Sequence, residues 1–192
     1  LINGIGFIGK MRSGKDEAAT YIKNVYGGRI LKFADPLYEI EAAIFNIVGV
    51  PIPEDKAKRR RLLQFIGTEW GRQTIDDNIW ANIMDNKLSN LDLLSYPVLN
   101  LVTDVRFPNE IEVLRKHNFK IIRIHRPESF RIMAGATNID HPSETSLDNY
   151  NDCDAEIFNN VNSLESYHKT VNEVFTSIQN ETLVKGMRYV TS

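Results

Sequence analysis

Two rhythms of apolar and polar positions divide the chain. Ile5-Gly6-Phe7-Ile8 is a short unbroken apolar run, which predicts a buried strand. A glycine-bounded loop follows from Gly9 to Gly14. Apolar residues then recur at Ala18, Ala19, Ile22, Val25 and Tyr26, the spacing of an amphipathic helix. Gly27-Gly28 ends that helix, because glycine accepts the left-handed conformation of a helix C-terminus. Arg29 to Phe33 predicts a second strand. Strand, helix and strand in so short a stretch form a βαβ unit, which calls for a parallel sheet.

Asp35-Pro36 predicts a helix start, with Asp as a cap and Pro in the first turn. Leu37, Ile40, Ile44, Ile47 and Val48 make its expected buried stripe, and Gly49 stops it. Pro51 and Pro53 mark a loop. A basic helix is expected from about Lys56 to Ile66, followed by Gly67 and Gly71. Asp76-Asp77 predicts another start, with Ile79, Trp80, Ile83 and Met84 on one face. Val98 to Thr103 is a strand candidate that runs into Asp104. Pro108 opens a short helix ending near His117-Asn118, and Lys120 to His125 reads as a strand. Residues 127–150 are polar and irregular, long for a plain connection, and such loops often act as lids. Ala155 to Phe158 reads as a last strand. Asn162 and Glu165 form a candidate capping box for a helix carrying Leu164, His168, Val171, Phe175 and Ile178. The final dozen residues carry no clear pattern.

Composition narrows the classes. The 192 residues hold 23 Lys and Arg against 25 Asp and Glu, a formal net charge of −2, so no positive field is available to attract a nucleic-acid polymer. The length suits a single domain. Cys153 is the one cysteine, which excludes an internal disulfide framework and a multi-cysteine zinc site, and suits a reducing cytosol. No apolar run approaches the roughly 20 residues that cross a bilayer. The opening Leu1-Ile2-Asn3-Gly4 has no basic n-region, so no secretory signal is expected, and the missing initiator Met points to a trimmed start.

The strongest chemical signal is the loop. Gly9-Lys10-Met11-Arg12-Ser13-Gly14-Lys15 matches G-x-x-x-x-G-K, lying between an apolar strand and an amphipathic helix. Glycines let the backbone wrap an anion closely with several N–H groups turned inward, the helix presents its positive end, and Lys15 adds a mobile cation. These seven residues, with Asp16 and Glu17 of the next helical turn, form the expected phosphate-binding set. Asp16 stands where a hydroxyl is usual. Its carboxylate either ligates magnesium or simply favours the helix N-terminus. Asp104, at the end of an apolar strand, either holds the magnesium shell or caps a turn.

Further segments carry a family resemblance. They are Phe33-Ala34-Asp35-Pro36-Leu37; Leu62 to Glu69 with Gly71-Arg72, Asp77 and Trp80; Thr103 to Glu110; and His141-Pro142-Ser143-Glu144. With the Gly-Lys-Asp end of the loop, the chain resembles the bacteriophage-type deoxynucleoside monophosphate kinases of the P-loop nucleoside monophosphate kinase group, from about residue 5 to 178. In that family an Asp after the loop lysine is usual. The resemblance implies a three-layer α/β/α fold with a parallel sheet, in three parts. These are a core (about 1–34, 95–125 and 150–180), a helical acceptor region (about 35–90) and a lid (about 126–145). It implies phosphorylation of a dNMP by ATP with Mg2+, by direct in-line transfer in the cytoplasm (a host's, if phage-encoded), and a homodimer is plausible. No polymer or membrane partner is implied.

Phosphoryl transfer asks for positioning and charge neutralisation, so arginines are the expected actors. Arg72 could grip the acceptor monophosphate or pair with Glu69 or Asp76. Lys56, Lys58, Arg59, Arg60 and Arg61 form a basic run, with Arg61 the leading substrate candidate because it abuts the apolar stretch. Arg12 belongs near phosphate. Arg126 and Arg131 are expected to neutralise the transferring group from the lid, and Arg106 either faces the cleft or pairs with Glu110. Asp35 caps its helix or faces the acceptor, and Gln64 lies in the matched acceptor segment. Trp70 and Trp80 stack on the acceptor base or fill core. Asn159-Asn160 resembles the loop bordering the donor adenine, with Asn160 as the candidate contact, or is an ordinary turn. His141 has no evident acid–base task. Rival readings are another P-loop small-molecule kinase, of the phosphomevalonate or dephospho-coenzyme A type, and a non-catalytic nucleotide sensor.

Overall fold

A computed structural model describes residues 2–93, 98–136, 142–160 and 163–188. Five strands, β1 (Gly4–Ile8), β2 (Arg29–Leu31), β3 (Asn100–Val102), β4 (Phe119–His125) and β5 (Ala155–Phe158), form one sheet in the order β2-β3-β1-β4-β5. Every pairing is parallel, with Gly4 opposite Asn100 on one side and Phe119 on the other. Helices α1 (Lys15–Tyr26), α4 (Ile79–Asp92), α5 (Pro108–Lys116) and α8 (Leu164–Arg188) make the outer layers. A parallel sheet needs such cover on both faces.

Alternation along β1 splits the core in two. Ile5 and Phe7 pack with Ala18, Ala19 and Ile22 of α1 and Val171, Phe175 and Ile178 of α8. Ile8 faces the other way, toward Met84 and Leu88 of α4 and Ile111 and Leu114 of α5. A Cβ on Gly6 would stand 2.6 Å from Leu114 Cδ1, so glycine there lets α5 lie close on the sheet. The expected α/β/α architecture is therefore the observed one, with most strand ends shifted by one or two residues.

Between β2 and β3 run α2 (Asp35–Val48), α3 (Lys56–Gln64) and a π-helix, Phe65–Ile75, before α4. The expected stripe on α2 is not buried: Ile44, Ile47 and Val48 are exposed, and Glu41 is the buried residue, accepting Arg59. Asp35 does not cap α2. Ala34 precedes the first turn without a side-chain cap, and the Asp35 carboxylate accepts Lys87 and the N–H of Lys32 instead. On α4, Trp80, Ala81, Met84 and Leu88 are buried while Ile83 is exposed, so the buried face is rotated from the expected one. The irregular stretch after β4 holds two short helices, α6 (Glu128–Met133) and α7 (Pro142–Thr145). His141, Asn162 and the expected lid residues 137–141 lie outside the described residues. No helix among the described residues is long and apolar enough to cross a membrane.

Candidate active site

In this strand order the connection leaving β1 runs toward the β2 edge while that leaving the adjacent β4 runs toward the β5 edge, and parallel sheets bind ligands beyond the carboxyl ends of their strands at such a switch point. The loop after β1 is held in a cradle there. Gly9 has φ 139°, and a Cβ on it would meet the Ile124 carbonyl oxygen at 2.3 Å. Gly14 has φ 114°. The loop carbonyls are tied from behind: Asn159 Nδ2 donates to Ser13 O (2.8 Å) and the Tyr167 hydroxyl to Gly14 O (3.0 Å). Of the Asn159-Asn160 pair it is Asn159 that holds the loop, and Tyr167 was not among the candidates. Lys15 Nζ donates to Gly9 O (2.6 Å) and Lys10 O (2.9 Å). Desolvation, with help from the positive charge of Arg106, pulls the Lys15 ammonium down to about 8. Ser13 Oγ is buried with no hydrogen-bond partner, an open donor inside the loop.

Two carboxylates stand near this loop with different surroundings. The Thr103 hydroxyl donates to Asp16 Oδ1 (2.7 Å), and Lys32 Nζ lies 3.6 Å from the same oxygen, yet the Asp16 side chain is largely open to solvent. Asp104 accepts the N–H groups of Phe33 (3.0 Å) and Ala34 (2.9 Å), fastening the end of β3 to the segment after β2. Burial pushes its carboxyl above the usual range. Among the described residues no group of three or more His, Cys, Asp or Glu could hold a metal unaided. Asp16 and Thr103 are nevertheless hard oxygen donors at the helix that follows the loop. Such a set suits magnesium, which keeps waters and takes one or two carboxylates plus phosphate oxygens.

Two cavities open beyond the sheet. The first, about 470 Å3, includes Phe33, Leu37, Gln64, Arg72, Trp80 and Phe107 in its lining. Arg72 is almost wholly buried: Nη2 donates to Glu110 (2.6 Å), Nη1 to the Asp77 carbonyl (2.8 Å), and the guanidinium carbon lies 4.0 Å from the Phe107 ring centroid. Neither Glu69 nor Asp76 is its partner. Glu110 also accepts the N–H groups of Arg106 (2.7 Å) and Phe107 (3.2 Å), and burial pushes its carboxyl up to about 7. Trp80 Nε1 donates to Gly67 O (2.8 Å), which locks α4 to the π-helix. Arg60 lines this cavity, whereas the favoured Arg61 is exposed and outside it, because the helix turns it outward. Trp70, 39% exposed, is also outside the lining, as is Asp35, held by Lys87.

The second cavity, about 460 Å3, draws Lys10, Arg106, Arg123, Arg126, Arg131 and Asn160 to its lining. Arg131 is 5% exposed, and its Nε and Nη1 are buried without hydrogen-bond partners. Arg126 Nη1 donates to Arg12 O (3.1 Å), while Arg12 itself is exposed, at φ 63°, and lines neither cavity. Glu17 is turned away from the loop: its Oε1 lies 2.7 Å from His168 Nε2 on α8. Arg106, Ser143 and Glu144 line both cavities and form the wall between them. The Arg106 guanidinium pairs with Glu144, so Glu110 is met by its backbone N–H and not by its side chain.

Comparisons with known proteins agree with this geometry. Residues 39–171 match the model of a family described as deoxynucleotide monophosphate kinase. Protein ORF77 of Ictalurid herpesvirus 1 is 35% identical over 158 residues, covering 81% of this chain and 63% of its own. The deoxynucleoside-5′-monophosphate kinase of Escherichia phage T5 is 35% identical over 94 residues, 46% of this chain and 34% of its own length. The chain thus matches less than two thirds of either relative. A putative deoxynucleotide monophosphate kinase of Acanthamoeba polyphaga mimivirus is 28% identical over 195 residues, 91% of this chain and 97% of its own. Among solved structures, a gluconokinase from Sinorhizobium meliloti matches with a TM-score of 0.55 and 13% identity, over 95% of this chain and 96% of its own. Dephospho-CoA kinase from Campylobacter jejuni matches with a TM-score of 0.51 and 17% identity, over 95% and 100%. At such identities these two speak for the fold alone.

Proposed function

The chain belongs to the deoxynucleotide monophosphate kinase family, and from that premise we propose that it transfers the γ-phosphoryl group of ATP directly to a deoxynucleoside 5′-monophosphate. The observation that carries this reading is the pair of similar cavities meeting at one wall, the second of them crowded with cations. ATP lies along the phosphate loop and in the second cavity, its β- and γ-phosphates on the loop N–H groups and Lys15. The monophosphate enters the first cavity, with its phosphate on Arg72 and its base among Phe33, Leu37 and Trp80. An acceptor phosphate oxygen then forms a bond to the γ-phosphorus as the bond to the β-phosphate oxygen breaks. Arg106, placed in the shared wall, and Arg126 and Arg131 neutralise the charge on the group in passage.

Asp16, with the Thr103 hydroxyl beside it, would hold magnesium, which when bound supplies charge neutralisation on the phosphates. Asp104 shapes the mouth of the first cavity by anchoring Phe33 and Ala34. In this reading residues 1–34, 95–125 and 150–180 are the core, residues 35–90 the acceptor region, which includes most of α4, and residues 126–145 the lid.

ADP release measured against dAMP, dGMP, dCMP and dTMP, with phosphomevalonate and dephospho-coenzyme A as controls, tests the proposal. Turnover with at least one dNMP is expected. ATP binding without turnover of any dNMP, or turnover of a control alone, would overturn it. Lys15→Ala is expected to lower kcat by orders of magnitude while leaving the melting temperature within a few degrees.

A further inference from the structure

Among the described residues, Glu144 supplies the carboxylate in the wall that both cavities share. Its Oε2 accepts the N–H of Met11 at 2.6 Å, so a phosphate-loop donor is spent on a glutamate. Its Oε1 takes the Arg106 guanidinium, whose Nη1 also reaches Ser143 O and Oγ, each at 3.2 Å. The Glu144 side chain is only 4% exposed. Its negative charge also bears on Lys15.

We propose that Glu144 is a placeholder for the transferring phosphoryl group: a positioning residue whose carboxylate holds Met11 N–H and Arg106 at the wall between the cavities and yields both to the incoming phosphate. The inference rests on the phosphotransfer reading above for the identity of the incoming group. A carboxylate and a phosphoryl group present the same kind of oxygen acceptors to N–H donors. A guanidinium and a loop N–H aimed at the wall need an anion near them, and Glu144 provides it. A phosphoryl group reaching the wall brings more negative charge than the carboxylate carries. Two anions cannot share these donors, so the carboxylate withdraws as the phosphate arrives. Glu144 therefore keeps Arg106 pointed correctly but competes with the nucleotide for it.

The test is anion affinity. Calorimetric binding of inorganic tripolyphosphate and of ATP is compared in wild type, Glu144→Gln and Glu144→Asp. The amide keeps the shape but loses the charge, so both probes are expected to bind roughly three- to tenfold tighter to Glu144→Gln. The shorter Glu144→Asp moves the same way to a lesser degree, which keeps the test alive if the amide variant folds poorly. The gain disappears in the double variant Glu144→Gln/Arg106→Gln. In turnover, KM for ATP falls and kcat falls with it, because Arg106 has lost its holder. Unchanged or weaker binding in both single variants overturns the proposal, as does a failure of either probe to bind wild type. If wild type phosphorylates no dNMP while tripolyphosphate still binds tighter to Glu144→Gln, the phosphotransfer reading fails, and Glu144 is a placeholder for a bound phosphate and not for a transferring one.

Discussion

Arg131 and Arg72 are both buried arginines, and their partners set them apart. Arg131 leaves Nε and Nη1 without acceptors, with Glu128 3.6 Å from Nη2. Each such group costs about 1–3 kcal/mol, so Arg131→Met is expected to raise the melting temperature of the free protein while raising KM for ATP at least about tenfold. A melting curve that falls would mean that Arg131 is satisfied by something other than a ligand. Arg72 has acceptors for Nη2 in Glu110 and for Nη1 in the Asp77 carbonyl, so Arg72→Ala alone would strand a buried carboxylate, at about 3–5 kcal/mol. The double variant Arg72→Met/Glu110→Gln removes that penalty. It should fold, raise KM for the dNMP by about tenfold or more, and leave KM for ATP within about threefold. Equal effects on both substrates would move Arg72 out of the acceptor site. Lys15 adds a pH signature. Its folded value of about 8 lies below the ordinary 10.5, so between the two the unfolded chain binds more protons and this group makes stability rise with pH. Binding runs the other way, because phosphate needs the ammonium: ATP affinity should fall as pH climbs past about 8. A Lys15→Ala variant should lack that inflection. Lys15 was legible in the sequence because the loop motif is local. That Asn159 and Tyr167 hold the loop was not, since they reach Ser13 and Gly14 only once β5 and α8 have docked.

The acceptor region shows what pattern reading misses at the level of elements. Gly67 and Gly71 read as the end of a basic helix, but the chain continues through both as the π-helix Phe65–Ile75. Wider turns of this kind are rare and often occur at functional sites. Here they bring Gly67, Thr68 and Arg72 to the first cavity. The reason for glycine is packing: a Cβ on Gly71 would stand 2.4 Å from Trp80 Cζ2 and 2.8 Å from the Ile66 carbonyl oxygen. Gly71→Ala must therefore push the π-helix off α4, at about 1–3 kcal/mol for an overpacked contact. For a chain of this size that is a drop of about 2–4 °C per kcal/mol, readable by scanning calorimetry, with a raised KM for the dNMP as Arg72 shifts. An unchanged melting temperature would show that the contact relaxes freely. Apolar spacing put α2 in the right place but misjudged its buried face, for a related reason. Helical period says which residues share a face, and nothing in it says whether another element covers that face, so Ile47 could read as core and stand 81% exposed.

At the scale of the molecule, site residues far apart in sequence converge because parallel strands all end on one edge. Phe33 follows β2, Gly9 to Lys15 follow β1, Asp104 and Arg106 follow β3, Arg126 and Arg131 follow β4, and Asn159 and Asn160 follow β5. Strand order was not legible from the chain; only the parallel sense was, from the βαβ spacing of the first two strands. That order produces two cavities with separate gripping residues and one wall in common, and the separation can be measured. A ligand at 100 times its Kd stabilises the fold by about 2.7 kcal/mol, which is a rise of about 5–11 °C here. ATP and a dNMP should each give such a shift alone. Lys15→Ala should remove the ATP shift and keep the dNMP shift, and Arg72→Met/Glu110→Gln should do the reverse. If either variant abolishes both shifts together, the ligands share one pocket. A donor and an acceptor could not then face each other across Arg106, and in-line transfer through this wall would lose its structural basis.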